Sequence, residues 1–251
     1  MMVKNKSRKR KISMTITRIN LIVLCLFALP NLSFAEEDHA AEHGEAVFHK
    51  VRLEAGYGTT EGQATKEWDL DAWVGNDLNR LWIKSLAQRT GQHTEKLDVW
   101  ALYSRNVSTF WDLQAGLKTD IGPNSLTSLV IGVDGLAPYF FETEAHLFVS
   151  EKGDLSARFK QRNDLLITQQ LIVQPYLEAS LYAQSVKESN IGAGLSKAEF
   201  GVQTRYEITR KFAPYFDIRY ERKFGETASF AKKANEDVDN FVGLIGLRMF
   251  F

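Results

Sequence analysis

The sequence is poor in sulfur. Its only cysteine, Cys25, and three of its four methionines fall within the first 35 residues; beyond them only Met249 remains. Disulfides and thiolate metal sites are thereby excluded from residues 36–251. That stretch also lacks any apolar run approaching the roughly eighteen residues a membrane-crossing helix needs. Excess positive charge is missing too. The first 35 residues hold 7 of the 31 basic side chains and none of the 31 acidic ones, so residues 36–251 carry 24 bases against 31 acids, a net charge of −7. Nucleic acid is therefore not an expected partner; cations are better matched. Mean hydropathy is −0.24. That value fits a soluble chain, and equally a membrane barrel with half of each strand facing a polar interior.

The chain opens on a basic run, Lys4, Lys6, Arg8, Lys9, Arg10 and Lys11, followed by an apolar segment, Leu21 to Leu29, and Pro30. Ser33-Phe34-Ala35 sets small residues at the −3 and −1 positions of a cleavage site. Residues 1–35 thus read as a secretory signal peptide, and export is expected. Leu24 precedes Cys25, where a lipoprotein signal wants a small residue, so no lipid anchor is expected. Residues 36–46 begin EEDHAAEHGE, a polar and acidic tail expected to be flexible and periplasmic.

From Val47 to the end, apolar and polar residues alternate. Period two places alternate side chains on opposite faces of a strand. Twelve strands are expected, near 47–57, 66–75, 80–89, 96–105, 109–119, 125–134, 139–150, 154–165, 171–183, 197–208, 216–223 and 241–251. The tenth is the clearest: Ala198, Phe200, Val202, Thr204, Tyr206 and Ile208 oppose Lys197, Glu199, Gln203, Arg205 and Glu207. In the last, Ile245, Leu247, Met249 and Phe251 share one face, with Gly246 and Arg248 on the other. This ending is similar to the C-terminal signal of bacterial outer-membrane proteins, except that Leu244 stands where a polar residue is usual. Links after even strands are short, and those after odd strands mostly longer, with 225–238 and 184–194 the longest. Aromatics gather near strand ends on the apolar face: Tyr57, Trp68, Tyr103, Trp111, Tyr206 and Phe251. Together these features predict an all-β, transmembrane, antiparallel up-and-down barrel over residues 47–251, with short periplasmic turns and longer extracellular loops. The expected location is the outer membrane, in contact with its lipid.

Several segments are similar to the copper resistance protein B family: Phe110 to Gly116, GLAPYFFE from Gly135, TQQLIVQP from Thr168, Gly192 to Ser196, Arg205 to Ile208 with Phe212 to Tyr215, and ERKFGETASFA from Glu221. The resemblance runs from about residue 47 to the end. It implies an outer-membrane barrel acting in copper tolerance, with copper ions as its cargo or ligand, beside a periplasmic multicopper oxidase. Family members often carry an N-terminal segment rich in Met and His. Here that segment is short, with His39 and His43 and no methionine.

Two groups of residues are candidate copper ligands. In the tail, Asp38, His39 and His43 offer imidazole and carboxylate donors, which suit Cu(II) better than Cu(I). A solvated polar tail is the alternative. On the seventh strand Glu142, Glu144 and His146 alternate, so all three should face the lumen. Acidic lumen residues can conduct a cation. The competing reading is a salt-bridged filling, given Arg158, Lys160 and Arg162 on the next strand. Acids from elsewhere, such as Asp69, Asp71, Glu199 or Glu221, would then complete the charge balance. An enzyme is not expected: Ser150 lies four residues from His146 along one strand, too far for a nucleophile–base contact, and no nucleophile motif is present. The alternative function is a small general pore or structural barrel without a metal role.

Overall fold

The structure is a computed structural model describing residues 46–251, apart from Glu61, Gln92, Pro123, Asn124 and the side chains of His93 and Glu95. The expected leader and the tail with Asp38, His39 and His43 lie outside the described residues.

The alternating segments form β1 (Phe48–Thr60), β2 (Gln63–Gly75), β3 (Asn79–Thr90), β4 (His93–Ser108), β5 (Trp111–Asp120), β6 (Leu126–Ala137), β7 (Phe141–Ser150), β8 (Leu155–Arg162), β9 (Leu165–Leu166), β10 (Leu171–Tyr182), β11 (Gly194–Tyr206), β12 (Phe212–Lys223) and β13 (Asp239–Phe250). Neighbouring strands pair antiparallel, and β13 pairs back onto β1 from Arg52↔Phe250 to Thr60↔Val242. Val51 and Phe251 exchange backbone hydrogen bonds of 3.0 and 2.9 Å at the end of this seam. The sheet is therefore closed, and no edge is left open. Twelve long strands make the wall.

β9 is a two-residue fragment, and Pro175 explains it. The Pro175 carbonyl accepts from the Asn163 N–H at 3.2 Å. Proline has no N–H to return toward that same neighbour, so the ladder loses a rung. β8 ends at Arg162, and pairing with β10 resumes only at Leu165.

The expected faces are observed. In β12, Ala213, Tyr215, Asp217, Arg219 and Glu221 are buried, while Phe216 and Ile218 between them are exposed. In β13, Arg248 and Leu244 point inward, and Ile245 and Leu247 outward. An exposed apolar exterior on so many consecutive strands has a physical meaning only against lipid. Leu244, the departure from the usual ending, lies among lumen side chains and is 2% exposed.

The connectors differ in part from the expected pattern. At the end away from the termini, the links after β10 (183–193) and β12 (224–238) are the longest, and the latter contains helix α1 (Gly225–Lys233). The links after β1 and β3 are instead tight turns, each using a left-handed glycine, Gly62 at φ 75° and Gly91 at φ 58°. At the terminus-bearing end, 163–170 is long because β8 stops early.

The lumen is not uniformly polar. Trp100, Leu102, Val130 and Phe148 form a buried cluster inside the wall of β4, β6 and β7, with Trp82 packed against it.

Candidate functional site

Beside that cluster lies His146. It stands directly opposite Gly132 on β6 and Arg158 on β8. The glycine makes room for the ring: a Cβ at position 132 would meet His146 Cδ2 at 2.5 Å. Trp100 holds the ring edge to face at 5.4 Å, and Phe148 packs on Trp100 at 5.2 Å. His146 is 3% exposed. Its Nε2 is 2.9 Å from Gln114 Oε1. An amide oxygen only accepts, so this contact puts the proton on Nε2 and leaves the Nδ1 lone pair for a ligand.

Glu144 sits two residues away on the same inward row. Lys84 from β3 reaches it at 2.9 Å and Arg162 from β8 at 3.3 Å. Lys84 also lies 3.4 Å from Asp134 and 3.7 Å from Asp71. Glu142, nearer the terminus-bearing end, is half exposed and ion-paired to Arg162. Arg158 is paired with Glu178 on β10 at 2.7 Å. Lys160 faces Glu144 in register and makes no ion pair within 4.0 Å among the described residues. The mixed-charge filling expected of this sector is thus present, but Glu178, Asp134 and Lys84 complete it. Of the acids named from the sequence, Asp71 takes part through Lys84. Asp69 lies 3.8 Å from Arg52, and Glu199 and Glu221 lie 2.7 and 2.8 Å from Lys197.

These side chains divide the interior. A cavity of about 50 Å³ is lined by Asp71, Lys84, Trp100, Glu144 and His146 among others, room for only a few waters. A second, of about 110 Å³, lies between Glu54, Lys96, Arg158, Glu178 and Asp217. At the terminus-bearing end the interior widens to a vestibule of about 510 Å³, lined by Lys50, Arg80, Asp112, Glu142, Asp164 and Arg205. Asp164, in the link after β8, accepts a 3.0 Å hydrogen bond from Arg205 Nη1. Burial raises its pKa, but the hydrogen bonds and charge of Arg205 outweigh that and hold the carboxyl below its ordinary value. Among the described residues no group of three or more His, Cys, Asp or Glu stands close enough to hold a metal ion. Glu142, Glu144 and His146 share a face of β7 without converging on one point.

Gln114, Gly132 and Trp100 were not singled out from the sequence. Their parity along the strands places them inward, but nothing local says that they meet His146.

The family model described as copper resistance protein B precursor matches residues 48–251. The copper resistance protein B homolog of Pseudomonas syringae pv. tomato is 39% identical over 185 residues, 73% of this chain and 63% of that protein. Copper resistance protein B of Escherichia coli is 35% identical, covering 84% of this chain and 72% of that one. The match thus spans less than two thirds of the Pseudomonas protein. Among solved structures, the NanC porin aligns at TM-score 0.55 and 13% identity, over 79% of this chain and 98% of its own. The KdgM porin aligns at 0.53 and 9% identity, over 80% and 99%. At that identity the likeness speaks for the outer-membrane barrel fold alone. With the family model matched along the whole barrel, this chain belongs to the copper resistance protein B family.

Proposed function

We propose that the protein serves copper tolerance as a non-enzymatic outer-membrane barrel that binds copper ions and passes them along its lumen. The observation that carries this reading is His146. It is a buried imidazole with Nε2 engaged by Gln114, standing two residues from Glu144 on one lumen-facing row. Imidazole and carboxylate together suit Cu(II). Glu144 is shared by Lys84 and Arg162, so an ion must displace an existing partner to bind. Such a site holds copper weakly, and release is as necessary to passage as entry. Copper then moves by exchange among Glu142, Glu144 and His146 rather than through a wide aqueous pore.

In this reading residues 1–35 are removed on export, and the barrel, 47–251, sits in the outer membrane. Residues 36–46 form a periplasmic tail in which Asp38, His39 and His43 bind Cu(II) in preference to Cu(I). A periplasmic multicopper oxidase is the partner that family membership suggests. Titration of the mature protein with Cu(II) tests the tail: His39→Ala with His43→Ala should abolish tail binding, and unchanged affinity would remove those residues from the assignment.

The lumen is tested by planar-bilayer conductance together with copper flux. Conductance should be small, and flux should drop in Glu144→Gln and His146→Ala. The vestibule favours a second reading, a small general pore. Large conductance, with flux indifferent to both substitutions, would establish that reading instead.

A further inference from the structure

The outer face of β1 to β4 changes character at one row. Tyr57, Lys66, Arg89 and Thr94 are direct cross-strand neighbours, and all four are exposed. The next row toward the terminus-bearing end is apolar: Ala55, Trp68, Ala87 and Leu97. Three more rows follow, down to His49, Val74, Leu81 and Tyr103. From Tyr57 to His49 is about 27 Å along the strand, or roughly 20 Å along the membrane normal at ordinary barrel tilt. The four donors therefore mark the upper boundary of the apolar band, at the end away from the termini.

Lys66 and Arg89 are exposed bases directly opposite each other in register. Like charges so placed repel across about 5 Å. Neither head group has a hydrogen bond or ion pair among the described residues. Elsewhere at this end Lys152 is ion-paired to Glu188 and Lys223 to Glu236, while Arg222 stands opposite the acid Asp239 in register. The row offers two cations and two hydroxyls, and none of its four side chains is an acid. A ligand suited to this row is an anion with several acceptor oxygens, held where lipid headgroups meet the apolar band.

We propose that Lys66 and Arg89 bind a phosphate of an outer-leaflet phosphoglycolipid, with the Tyr57 and Thr94 hydroxyls beside it and the acyl chains lying along the Trp68 row. Phosphate suits both cations. Arg offers a planar fork of donors and Lys a compact charge. Trp68, 36% exposed just below, is placed as an interfacial anchor. The inference rests on the outer-membrane location proposed above and does not involve the lumen or copper. The site lies beside the β13–β1 seam, since Ile245 of β13 flanks Tyr57, so a bound lipid would brace the closure of the barrel.

Native mass spectrometry of the full mature protein in detergent, without copper, tests this. The probes are diphosphoryl lipid A, its dephosphorylated counterpart and inorganic phosphate. A retained adduct is expected with diphosphoryl lipid A only. It should weaken at least tenfold in the Lys66→Gln, Arg89→Gln double variant and be unchanged in Arg222→Gln. A second readout is the unfolding midpoint of Arg89→Gln, which loses the like-charge contact. It should lie above that of the unmodified protein in lipid-free detergent and below it when lipid A is present. Equal adducts in the double variant, equal binding of the dephosphorylated lipid, or a midpoint shift of one sign in both conditions would overturn the proposal. An adduct with inorganic phosphate as strong as with the lipid would overturn the lipid as occupant. A folded protein with normal copper flux and no adduct would refute this site alone; a retained adduct without copper flux would refute the copper reading alone.

Discussion

Lys84 on β3 and Glu144 on β7 meet across the lumen, Nζ to Oε2, at 2.9 Å. Asp134 and Asp71 also lie within 4 Å of the same ammonium. One cation thus serves three carboxylates. Removing it leaves three lumen-facing acids each short of a partner, whereas removing Glu144 leaves Lys84 with two acids still beside it. Breaking a buried pair from one side costs on the order of 3–5 kcal/mol. Lys84→Met should therefore fall in that range or above it, and Glu144→Gln should cost less. Urea midpoints of the refolded barrel decide. The reverse order would mean that Arg162, not Lys84, is the main partner of Glu144.

The wall of the barrel was legible because each strand repeats one simple rule, apolar out and polar in, and twelve strands repeat it. The inward direction of Glu144 and His146 follows from the same rule. What meets them does not, because cross-lumen contacts depend on barrel curvature and register. Lys84 lies on β3 and Glu178 on β10, neither of which neighbours the strand it meets closely enough in sequence for the pairing to be read locally. Trp100, Leu102, Val130 and Phe148 face inward by parity, against the expectation of a polar lumen; they fill space around His146 that charges could not fill cheaply. The break at β9 escaped because a missing N–H at Pro175 acts on the neighbouring strand rather than on its own. The short turns at Gly62 and Gly91 show that a glycine able to take positive φ can close a hairpin where the overall pattern suggests a longer loop.

The link between Asp164 and Arg205 should make residues 163–170 sensitive to acid. The folded carboxyl has a lowered pKa. A group depressed in the folded state contributes stability above its unfolded pKa, about 4, and loses it as pH falls through the folded value. Protection from hydrogen exchange across 163–170, relative to the intrinsic rate at each pH, should therefore be high at neutral pH and fall once the pH drops below the ordinary carboxylate value. Asp164→Asn should show low protection at both. Equal protection of the two proteins at pH 7 would show that the link is held by the backbone and Gln174 without the charge.

Phe251 illustrates the difference between assembling and staying assembled. Its backbone closes the seam with Val51, while its side chain is exposed on the outer face. Phe251→Asp leaves the backbone bonds possible but puts a charge in the lipid-facing girdle. Delivery to the membrane should suffer most, with little folded barrel recovered from cells. Protein refolded in detergent should still close and migrate as a heat-modifiable species. Normal recovery from cells would remove the C-terminal aromatic from the assembly signal.

The same seam offers a sharper test through two glycines. Gly58 on β1 lies where a Cβ would come within 1.8 Å of the Gly243 carbonyl oxygen and 2.8 Å of the Leu244 Cα. Both are backbone atoms of the closing strand, so no rotamer change relieves the clash. Gly243 itself has open space at its own Cβ position, because it shares the outward parity of Ile245 and Leu247. Gly58→Ala must therefore push β13 away from β1 just where Gly58 pairs with Leu244. That opens ladder hydrogen bonds of the closing seam at the rim of the apolar band. Gly243→Ala adds only a methyl on the open outer face. We expect Gly58→Ala to lose heat-modifiable migration and Gly243→Ala to keep it, with a midpoint within about 1 kcal/mol of the unmodified protein, as for an exposed strand position. If both variants close equally well, the contact between β1 and β13 is looser than the close approach at Gly58 implies.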